Sequence, residues 1–384
     1  MAPSAPRDVA RLARHRSERA STVTSPEGSA AAASGTCTVA IPVFNRKEMV
    51  LRAVKSALAQ DIPGLDVLVV DNCSTDGTWE ALQGIRDARV RLVRNGRNVG
   101  LFGNFNRCID LASGEYLRFL CSDDALTSGC LRREIEAMDA SPSAVLLSSQ
   151  ARRITPRGDV LGRHADHFPP GRYGGTTAVA GVLRFTADYG FNPLNYPSGV
   201  LLRTDAVRRA GHFDESMQLA ADVDLFFRVL AAGDLLVADH VGCEITVHGG
   251  QEGSRVSRNA LVMREAYLLL ERFGETLGAP RSLRHVAKQL GGMCLRFAIQ
   301  ARFRGDADSA RQYLELARAH GCGTTDMTVA LARIAVVRSL LRLTGVRLLP
   351  PGFAMSSANH SPRAMTASTR ARPGTRAPED ARGA

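Results

Sequence analysis

The feature that most constrains the fold is a regular alternation of short apolar runs and amphipathic segments in the first half of the chain. Five apolar runs predict strands at TVAIPVF (38–44), DVLVV (66–70), RVRLV (89–93), EYLRFL (115–120) and AVLLSS (144–149). Between them, apolar residues recur with a helical period at 46–60, from Thr78, and at 101–112 and 127–140. This alternation predicts the α/β fold class: a Rossmann-like, mixed but mostly parallel sheet with helices on both faces.

The second half of the chain does not continue this regular alternation of apolar runs and amphipathic segments. We expect a strand at GVLLR, a helix at TDAVRRAG, a helix from about Asp222 to Ala232, and a strand pair at LLVAD and EITVHGG. The polar stretch 150–190 is long enough for a mobile lid, although ordinary solvated surface explains its charges equally well. The predicted organisation is a disordered tail at 1–35, one α/β domain at 36–254, a basic helical extension at 255–350 and a second disordered tail at 351–384.

Composition indicates a soluble globular protein. Of the 384 residues, 45% are hydrophobic and 23% are charged, which is enough to build a sizeable core. No run of eighteen apolar residues and no signal-peptide pattern is present, so we expect a cytoplasmic location. The eight cysteines form no CxxC pair, and this spacing favours neither a zinc site nor a disulfide framework.

The net charge of +11 is unevenly distributed. Residues 36–254 sum to −3, whereas residues 255–350 sum to +9. The basic helices could contact an anionic membrane at the inner face of the cell membrane, or they could simply cover the sheet. No aromatic residues interleave with the basic ones, and we therefore expect no nucleic-acid partner.

Carboxylates follow two of the predicted strands. Asp71 ends the run VVD, and Asp123 and Asp124 end the run FLCSDD. Open α/β sheets bind ligands beyond the carboxyl ends of their strands, so these acids can contact a nucleoside or a divalent cation on phosphates. Each acid could instead cap a turn or a helix.

Six stretches in the same order make the chain resemble the family 2 glycosyltransferases of the GT-A fold, over roughly residues 36–254. They are AIPVFNR, VVDNCSTDGT, NVGLFGNFNRCIDLASGEYLRFLCSDD, PSGVLLRTDAVRRAGHFDES, AADVDLFFRVLAAG and VHGGQEGS. The resemblance implies an inverting, hexosyltransferase-like enzyme. Its donor is a nucleoside diphosphate sugar, its cofactor is Mn²⁺ or Mg²⁺, and its acceptor is a hydroxyl on a glycan, a lipid-linked sugar or a small molecule such as a secondary metabolite.

The resemblance also implies roles for particular residues. It implies that the nucleobase pocket of the donor site is lined by Pro42, Val43 and Phe44. It also implies that Asp71 contacts the base and that Asp124 contributes to donor binding. The metal falls to Asp123, with His248 as a second ligand or a phosphate contact, and Asp222 is the catalytic base. An acceptor site is expected beside FNPLNYPSG (191–199), where Asn192, Asn195 and Tyr196 offer polar groups but also suit a turn.

Two positions depart from the family pattern. Cys121 stands where the metal motif often has a first acid, and Ala221 stands where an acid often precedes the base. Both departures favour an alternative in which the chain is a degenerate sugar-nucleotide-binding or scaffold protein. A nucleotidyltransferase on a related sheet is a further alternative, but the first loop, IPVFNRKE, lacks the glycines expected of its phosphate loop. Asp123 and Asp222 are both retained, and we therefore expect an active enzyme.

Overall fold

The computed structural model describes residues 35–164, 168–189, 193–194, 196–249 and 260–322. In this part of the chain, ten strands form one sheet. The strands are β1 Cys37–Val43, β2 Leu65–Asp71, β3 Val90–Arg94, β4 Tyr116–Phe119, β5 Ala125–Leu126, β6 Ala144–Ile154, β7 Val160–His164, β8 Gly171–Tyr173, β9 Val200–Arg203 and β10 Asp234–Thr246. The main path through the sheet runs β3-β2-β1-β4-β9-β6-β10-β5, with β7 beside β6 and β8 beside β10.

The helices lie on both faces of the sheet, as the alternation predicted. They are α1 Lys47–Leu58, α2 Thr78–Gln83, α3 Leu101–Leu111, α4 Cys130–Asp139, α5 Gly175–Tyr189, α6 Thr204–Ala210, α7 Ala221–Leu230, α8 Leu261–Phe273, α9 Pro280–Phe303 and α10 Ala307–Ala319. One core cluster joins the sheet to α1, α2 and α4, and a second joins it to α3 and α5 to α10. The predicted mixed α/β class is confirmed.

The parallel half of the sheet forms around β1. All seven residues of this strand are buried, because it lies between the parallel strands β2 and β4 and is covered on both faces. Val39, Ile41 and Val43 pack toward α1, whereas Ala40 packs toward α3. The carboxyl ends of β1 and β2 are thereby fixed side by side, with Val43 paired to Asp71.

The other half of the sheet differs from the sequence prediction. The expected strand pair at LLVAD and EITVHGG is one 13-residue strand, β10, which stays paired to β6 through several register shifts. The stretch predicted as a polar loop is largely ordered: it contains the end of β6, then β7, β8 and the helix α5. Leu183 and Val182 of α5 are buried in the second core cluster, so an apolar helix face was missed because the surrounding charges dominated the pattern.

The predicted helical extension is described only as far as residue 322. Its helices α8 to α10 contribute Met263, Tyr267 and Leu290 to the same core cluster as α7, so they cover one face of the sheet. Within the described residues, no helix is both long and apolar enough to span a membrane. The predicted tails, apart from residue 35, and residues 323–350 of the predicted helical extension lie outside the described residues.

All eight cysteines fall in described positions, and all are free thiols. Six are buried, as expected for small core residues, while Cys73 and Cys121 are partly exposed. The sequence prediction that the chain has no disulfide framework is thus consistent with the structure.

Candidate active site

Asp71 is the last residue of β2 and is completely buried. Its Oδ2 accepts a hydrogen bond from the Ser74 N–H at 3.2 Å and lies 3.2 Å from Nε of Arg94. Its Oδ1 has no hydrogen-bond partner in the described part of the chain. A buried acceptor without a partner is costly in a folded protein, which makes Oδ1 a natural point of contact for a ligand N–H or O–H.

The loops after β1 and β2 are tied to each other beside Asp71. Asn45 and Cys73 both adopt positive φ angles, 50° and 64°, which is uncommon for residues other than glycine. Reciprocal hydrogen bonds hold this conformation: the Asn45 N–H donates to Ser74 Oγ at 2.9 Å, and the Thr75 N–H donates to Asn45 Oδ1 at 2.8 Å. These hydrogen bonds hold the loops after β1 and β2 against each other, and together the two loops form one side of the site.

The three residues predicted to line a nucleobase pocket are placed differently from one another. Pro42 and Val43 lie inside β1, and their side chains are buried in the interior of the protein. Phe44 follows the strand and keeps 42% of its surface exposed, which is high for a large apolar side chain. Of these three, Phe44 is the residue whose ring is available to stack on a base.

A chain of amide side chains braces the same region. Asn72 donates to Asn98 Oδ1 at 2.9 Å, and Asn95 donates to Asn72 Oδ1 at 3.0 Å and to Asn104 Oδ1 at 2.9 Å. Asn104 in turn donates to the Val70 carbonyl at 3.0 Å. Asn104 is itself buried, and through these contacts it supports the loops after β2 and β3.

The second group of acids forms an acidic cluster of Cys121, Asp123 and Asp124, whose ligand atoms all lie within 4.8 Å of one another. Asp124 is buried and uses both carboxylate oxygens: Ser198 Oγ donates to Oδ2 at 2.6 Å, and the Thr246 N–H donates to Oδ1 at 3.1 Å. Burial, with the Asp123 charge adding to it, raises the pKa of Asp124 to about 8. These contacts make Asp124 a link between the strand end and β10, and its predicted contact with the donor stays a prediction.

Asp123 is more accessible than Asp124. His248 Nε2 lies 2.8 Å from Asp123 Oδ2, and the two side chains are 12% and 16% exposed. Arg52 of α1 donates to the Asp123 backbone carbonyl at 2.6 Å and also to Thr246 Oγ1. Arg52 was missed from the sequence, since a charged residue on an amphipathic helix looks like ordinary surface.

The donor set around Asp123 suits a hard or borderline divalent cation. It offers a partly exposed carboxylate and a neighbouring imidazole, while both oxygens of Asp124 are already engaged by Ser198 and Thr246. Carboxylate oxygen suits Mg²⁺, and Mn²⁺ accepts carboxylate and imidazole together. Cys121 is a poor ligand for either ion: its thiol is softer than they prefer, and burial holds the pKa of that thiol well above its usual range.

Asp222 is the second residue of α7 and is partly buried. Its Oδ1 accepts a hydrogen bond from the Val223 N–H at 2.8 Å. Loss of solvation raises the pKa of Asp222 to about 6, and the nearby Glu265 carboxylate contributes to the increase. A carboxylate with this pKa is ionised at neutral pH and still basic enough to accept a proton.

Asp224, two residues further along α7, has a different environment. Its side chain is 2% exposed and forms ion pairs with Arg228 at 2.8 Å and Arg272 at 2.7 Å. Asp224 is thus held in ion pairs and links α7 to Arg272 of α8.

Tyr196 relates the two acidic regions to each other. Loss of solvation raises the pKa of the Tyr196 hydroxyl, and the charges of Asp222 and Asp124 raise it further while Arg153 opposes them. Both carboxylates therefore lie within electrostatic range of the same phenol. Asn192 and Asn195, which were predicted beside Tyr196, lie outside the described residues.

The mixed, mostly parallel sheet covered by helices on both faces is of the GT-A class. The structure of S. aureus TarS 1–349 in complex with UDP-GlcNAc superimposes with a TM-score of 0.50 and 18% sequence identity, covering 74% of this chain and 92% of that one. Residues 38–209 match the family model described as glycosyl transferase family 2. Over these residues the chain is thus similar to glycosyl transferase family 2. Asp222 and His248 lie beyond the matched residues.

Curated relatives are similar over shorter stretches. The succinoglycan biosynthesis protein ExoO of Rhizobium meliloti (strain 1021) is 38% identical over 29% of this chain and 32% of its own length. WfaP of Escherichia coli, a UDP-Glc:α-D-GlcNAc-diphosphoundecaprenol β-1,3-glucosyltransferase, is 31% identical over 26% of this chain and 40% of its own. The GalNAc(5)-diNAcBac-PP-undecaprenol β-1,3-glucosyltransferase of Campylobacter jejuni subsp. jejuni serotype O:2 (strain ATCC 700819 / NCTC 11168) is 38% identical over 24% of this chain and 31% of its own. The chain thus spans less than half the length of each of these relatives.

Proposed function

We propose that this protein is an inverting glycosyltransferase that moves a sugar from a nucleoside diphosphate sugar to an acceptor hydroxyl. The observation that carries the proposal is Asp71 Oδ1, a buried acceptor with no partner among the described residues, which lies at the carboxyl end of β2 within the stretch that matches glycosyl transferase family 2. The N–H edge of a pyrimidine base or a ribose hydroxyl would satisfy it. Phe44, exposed at the end of the neighbouring strand, would stack on the base.

Asp123 and His248 would hold a divalent cation at the acidic cluster. When bound, the cation would offset the negative charge that develops on the departing diphosphate. The partly exposed carboxylate of Asp123 supports this assignment, while Asp124 is occupied with holding Ser198 and Thr246.

Asp222 would act as the general base. The acceptor oxygen attacks the anomeric carbon while the bond from that carbon to the diphosphate oxygen breaks, and the acceptor proton passes to the Asp222 carboxylate. Attack on the face opposite the leaving group inverts the anomeric configuration. A pKa of about 6 supports the role, because the carboxylate is ionised at neutral pH yet more basic than an exposed aspartate.

We further propose a lipid-linked sugar as the acceptor, presented at the cytoplasmic face of a membrane. Two of the relatives are named for glucosyl transfer to undecaprenyl-diphosphate-linked sugars, which supports this class of acceptor. The excess of positive charge in residues 255–350 would favour contact with acidic lipid headgroups.

A donor screen followed by a transfer assay tests the proposal. Nucleoside diphosphate sugars would be screened by thermal shift with and without Mn²⁺, because a bound ligand raises Tm in proportion to the logarithm of its concentration over Kd. The stabilising donor would then be supplied in labelled form with polyprenyl-diphosphate-linked sugars. We expect label in the lipid fraction, with a product anomer opposite to that of the donor.

Two results would argue against the proposal. The donors could stabilise the protein while neither transfer to any acceptor nor hydrolysis of the donor occurs. That result would favour a sugar-nucleotide-binding or scaffold protein, as Cys121 and Ala221 suggest. A product that retains the donor's anomeric configuration would exclude single displacement with Asp222 as base.

A further inference from the structure

The turn that leads into α7 is held by a residue from the C-terminal helices. This base turn consists of residues 218–220, and its three successive backbone N–H groups all donate to the carboxylate of Glu265 in α8. The distances are 2.7 Å from Gln218, 3.0 Å from Leu219 and 2.7 Å from Ala220. Glu265 is 4% exposed, so its carboxylate is buried against the backbone that fixes Asp222.

The local sequence lacks the means to hold this turn by itself. Ala220 occupies the N-cap position of α7, where its side chain accepts no hydrogen bond, and Ala221 is fully buried in the core. Buried backbone N–H groups need partners, and a carboxylate is a strong acceptor for them. Glu265 supplies from 45 to 47 residues away what a Ser, Asp or Glu near the start of α7 would supply locally.

A second contact from the same helix holds the flanks of the base turn. Arg272, seven residues after Glu265 and therefore on the same side of α8, pairs with Asp214 and with Asp224 at 2.7 Å each. Glu265 and Arg272 together hold the segment from Asp214 to Asp224, and Asp222 lies inside it.

The charge of Glu265 also acts on Asp222. Loss of solvation raises the pKa of Asp222 most, hydrogen bonds from the backbone N–H groups of Val223 and Asp222 lower it, and the Glu265 carboxylate adds a smaller increase. Among the other titratable groups nearby, Asp224 on the same helix is neutralised by Arg228 and Arg272, and the Tyr196 hydroxyl, in the segment before β9, lies within electrostatic range of Asp222. Removal of the Glu265 charge is therefore expected to lower the pKa of Asp222.

We propose that Glu265 is a positioning residue for Asp222, so that α8 of the C-terminal extension, rather than the residue before the base, supplies the acid that orients it. This proposal rests on the proposed function, in which Asp222 takes the acceptor proton. It assigns the extension a part in catalysis that is separate from any contact with a membrane.

Two substitutions separate the hydrogen bonds of Glu265 from its charge. Glu265→Gln keeps one oxygen to accept from the base turn and removes the charge, whereas Glu265→Ala removes every hydrogen bond. Exposed Glu271 on the same helix provides the matched control, Glu271→Gln. We expect kcat to fall about 10-fold in the first variant and about 100-fold in the second, since small displacements of a catalytic group have effects of this size. The KM for the donor is expected to stay unchanged.

The pH dependence of kcat/KM separates an electrostatic effect of Glu265 on Asp222 from a purely structural role of Glu265, because a purely structural role would not shift it. In Glu265→Gln, the acidic limb of kcat/KM is expected to shift to lower pH, because the charge that disfavours ionisation of Asp222 is gone. Glu271→Gln is expected to leave the limb in place. Folded Glu265→Ala protein with the wild-type kcat and pH profile would overturn the proposal.

A measurement independent of turnover keeps the two proposals apart. The Asp222 carboxyl resonance, assigned by its loss in Asp222→Asn, would be titrated by ¹³C NMR in the wild type, Glu265→Gln and Glu271→Gln. A lower midpoint in Glu265→Gln alone supports the contact even if the wild type transfers no sugar, a result that would defeat only the proposed function. Equal midpoints in all three proteins would show that Glu265 does not act on Asp222.

Discussion

The donor side and the base side of the candidate site are built in different ways. On the donor side, the contacts of Asp71 come from Ser74 and Arg94, within 23 residues along the chain. On the base side, the segment before Asp222 is held by Asn106 of α3, whose amide bonds Phe213 and Glu215, and by Glu265 of α8. The donor side is therefore a local motif, while the base side is assembled from elements that are distant in sequence.

The electrostatic surroundings of the two acids differ as well. Asp71 is paired with the guanidinium of Arg94, which itself lies 5.5 Å from the centre of the Trp79 ring. Asp222 lies within electrostatic range of the Glu265 carboxylate and forms no salt bridge with a cation among the described residues. A cation beside an acid favours a stable anion for ligand binding, whereas a like charge favours proton uptake. The contrast matches a binding role for Asp71 and a proton-accepting role for Asp222.

The strongest test of this contrast is Asp222→Asn. We expect kcat for transfer to fall by ~10²- to 10⁴-fold, because the amide cannot accept the acceptor proton. The KM for the donor is expected to remain within about twofold of the wild type, since donor contacts lie on the other side of the site. Steady-state kinetics with the labelled donor measures both.

The control for that experiment is Asp205→Asn, which changes an aspartate in the first turn of α6 whose side chain is 79% exposed. It should leave both kinetic constants unchanged. If Asp222→Asn kept the wild-type kcat, the general base would be another group. The proposed contrast between a donor-binding side and a proton-accepting side would then be wrong.

Asp71→Asn is expected to have the opposite kinetic signature. Loss of a charged acceptor should raise the Kd and KM for the donor by ~10- to 100-fold, since a hydrogen bond to a charged group contributes ~1.5–3 kcal/mol. At saturating donor, kcat should change little. Calorimetric titration with the nucleoside diphosphate measures the affinity directly.

Asp61→Asn, a change at a side chain that is 98% exposed, is the matched control for Asp71. If Asp71→Asn instead lowered kcat and left donor affinity intact, Asp71 would belong to the chemical step, and the division of labour between the two sides would be wrong.

The pH dependence of kcat/KM gives the smallest expected effect. The Asp222 pKa of about 6 lies above its ordinary value, so the carboxylate is ionised and active above that pH and is lost as a base when the pH falls through it. We expect activity to drop about tenfold between pH 7 and pH 5. Circular dichroism at each pH controls for unfolding, and a flat profile across this range in folded protein would exclude Asp222 as the titrating base.

Much of the fold followed from periodicity. The parallel strands β1 to β4 were predicted to within a few residues, because β1, β2 and β4 are apolar runs that are buried almost throughout and bounded by turn residues, while β3, at the edge of the sheet, is only partly buried. The extent of β10 and the helix α5 were not predicted. Their stability comes from pairing with β6 and packing on α7 and α9, which no local pattern records.

By itself, the sequence determined which acids end strands or begin a helix, since an apolar run and the polar residue after it are local properties. That was enough to single out Asp71, Asp123 and Asp222. Only the tertiary structure decided what surrounds them: an unpartnered Oδ1 at Asp71, Asp124 bound between Ser198 and Thr246, and Glu265 on the base turn. The reason is physical, since burial and the field of distant charges depend on which elements pack together, and that packing brings α8 beside a turn more than forty residues earlier in the chain.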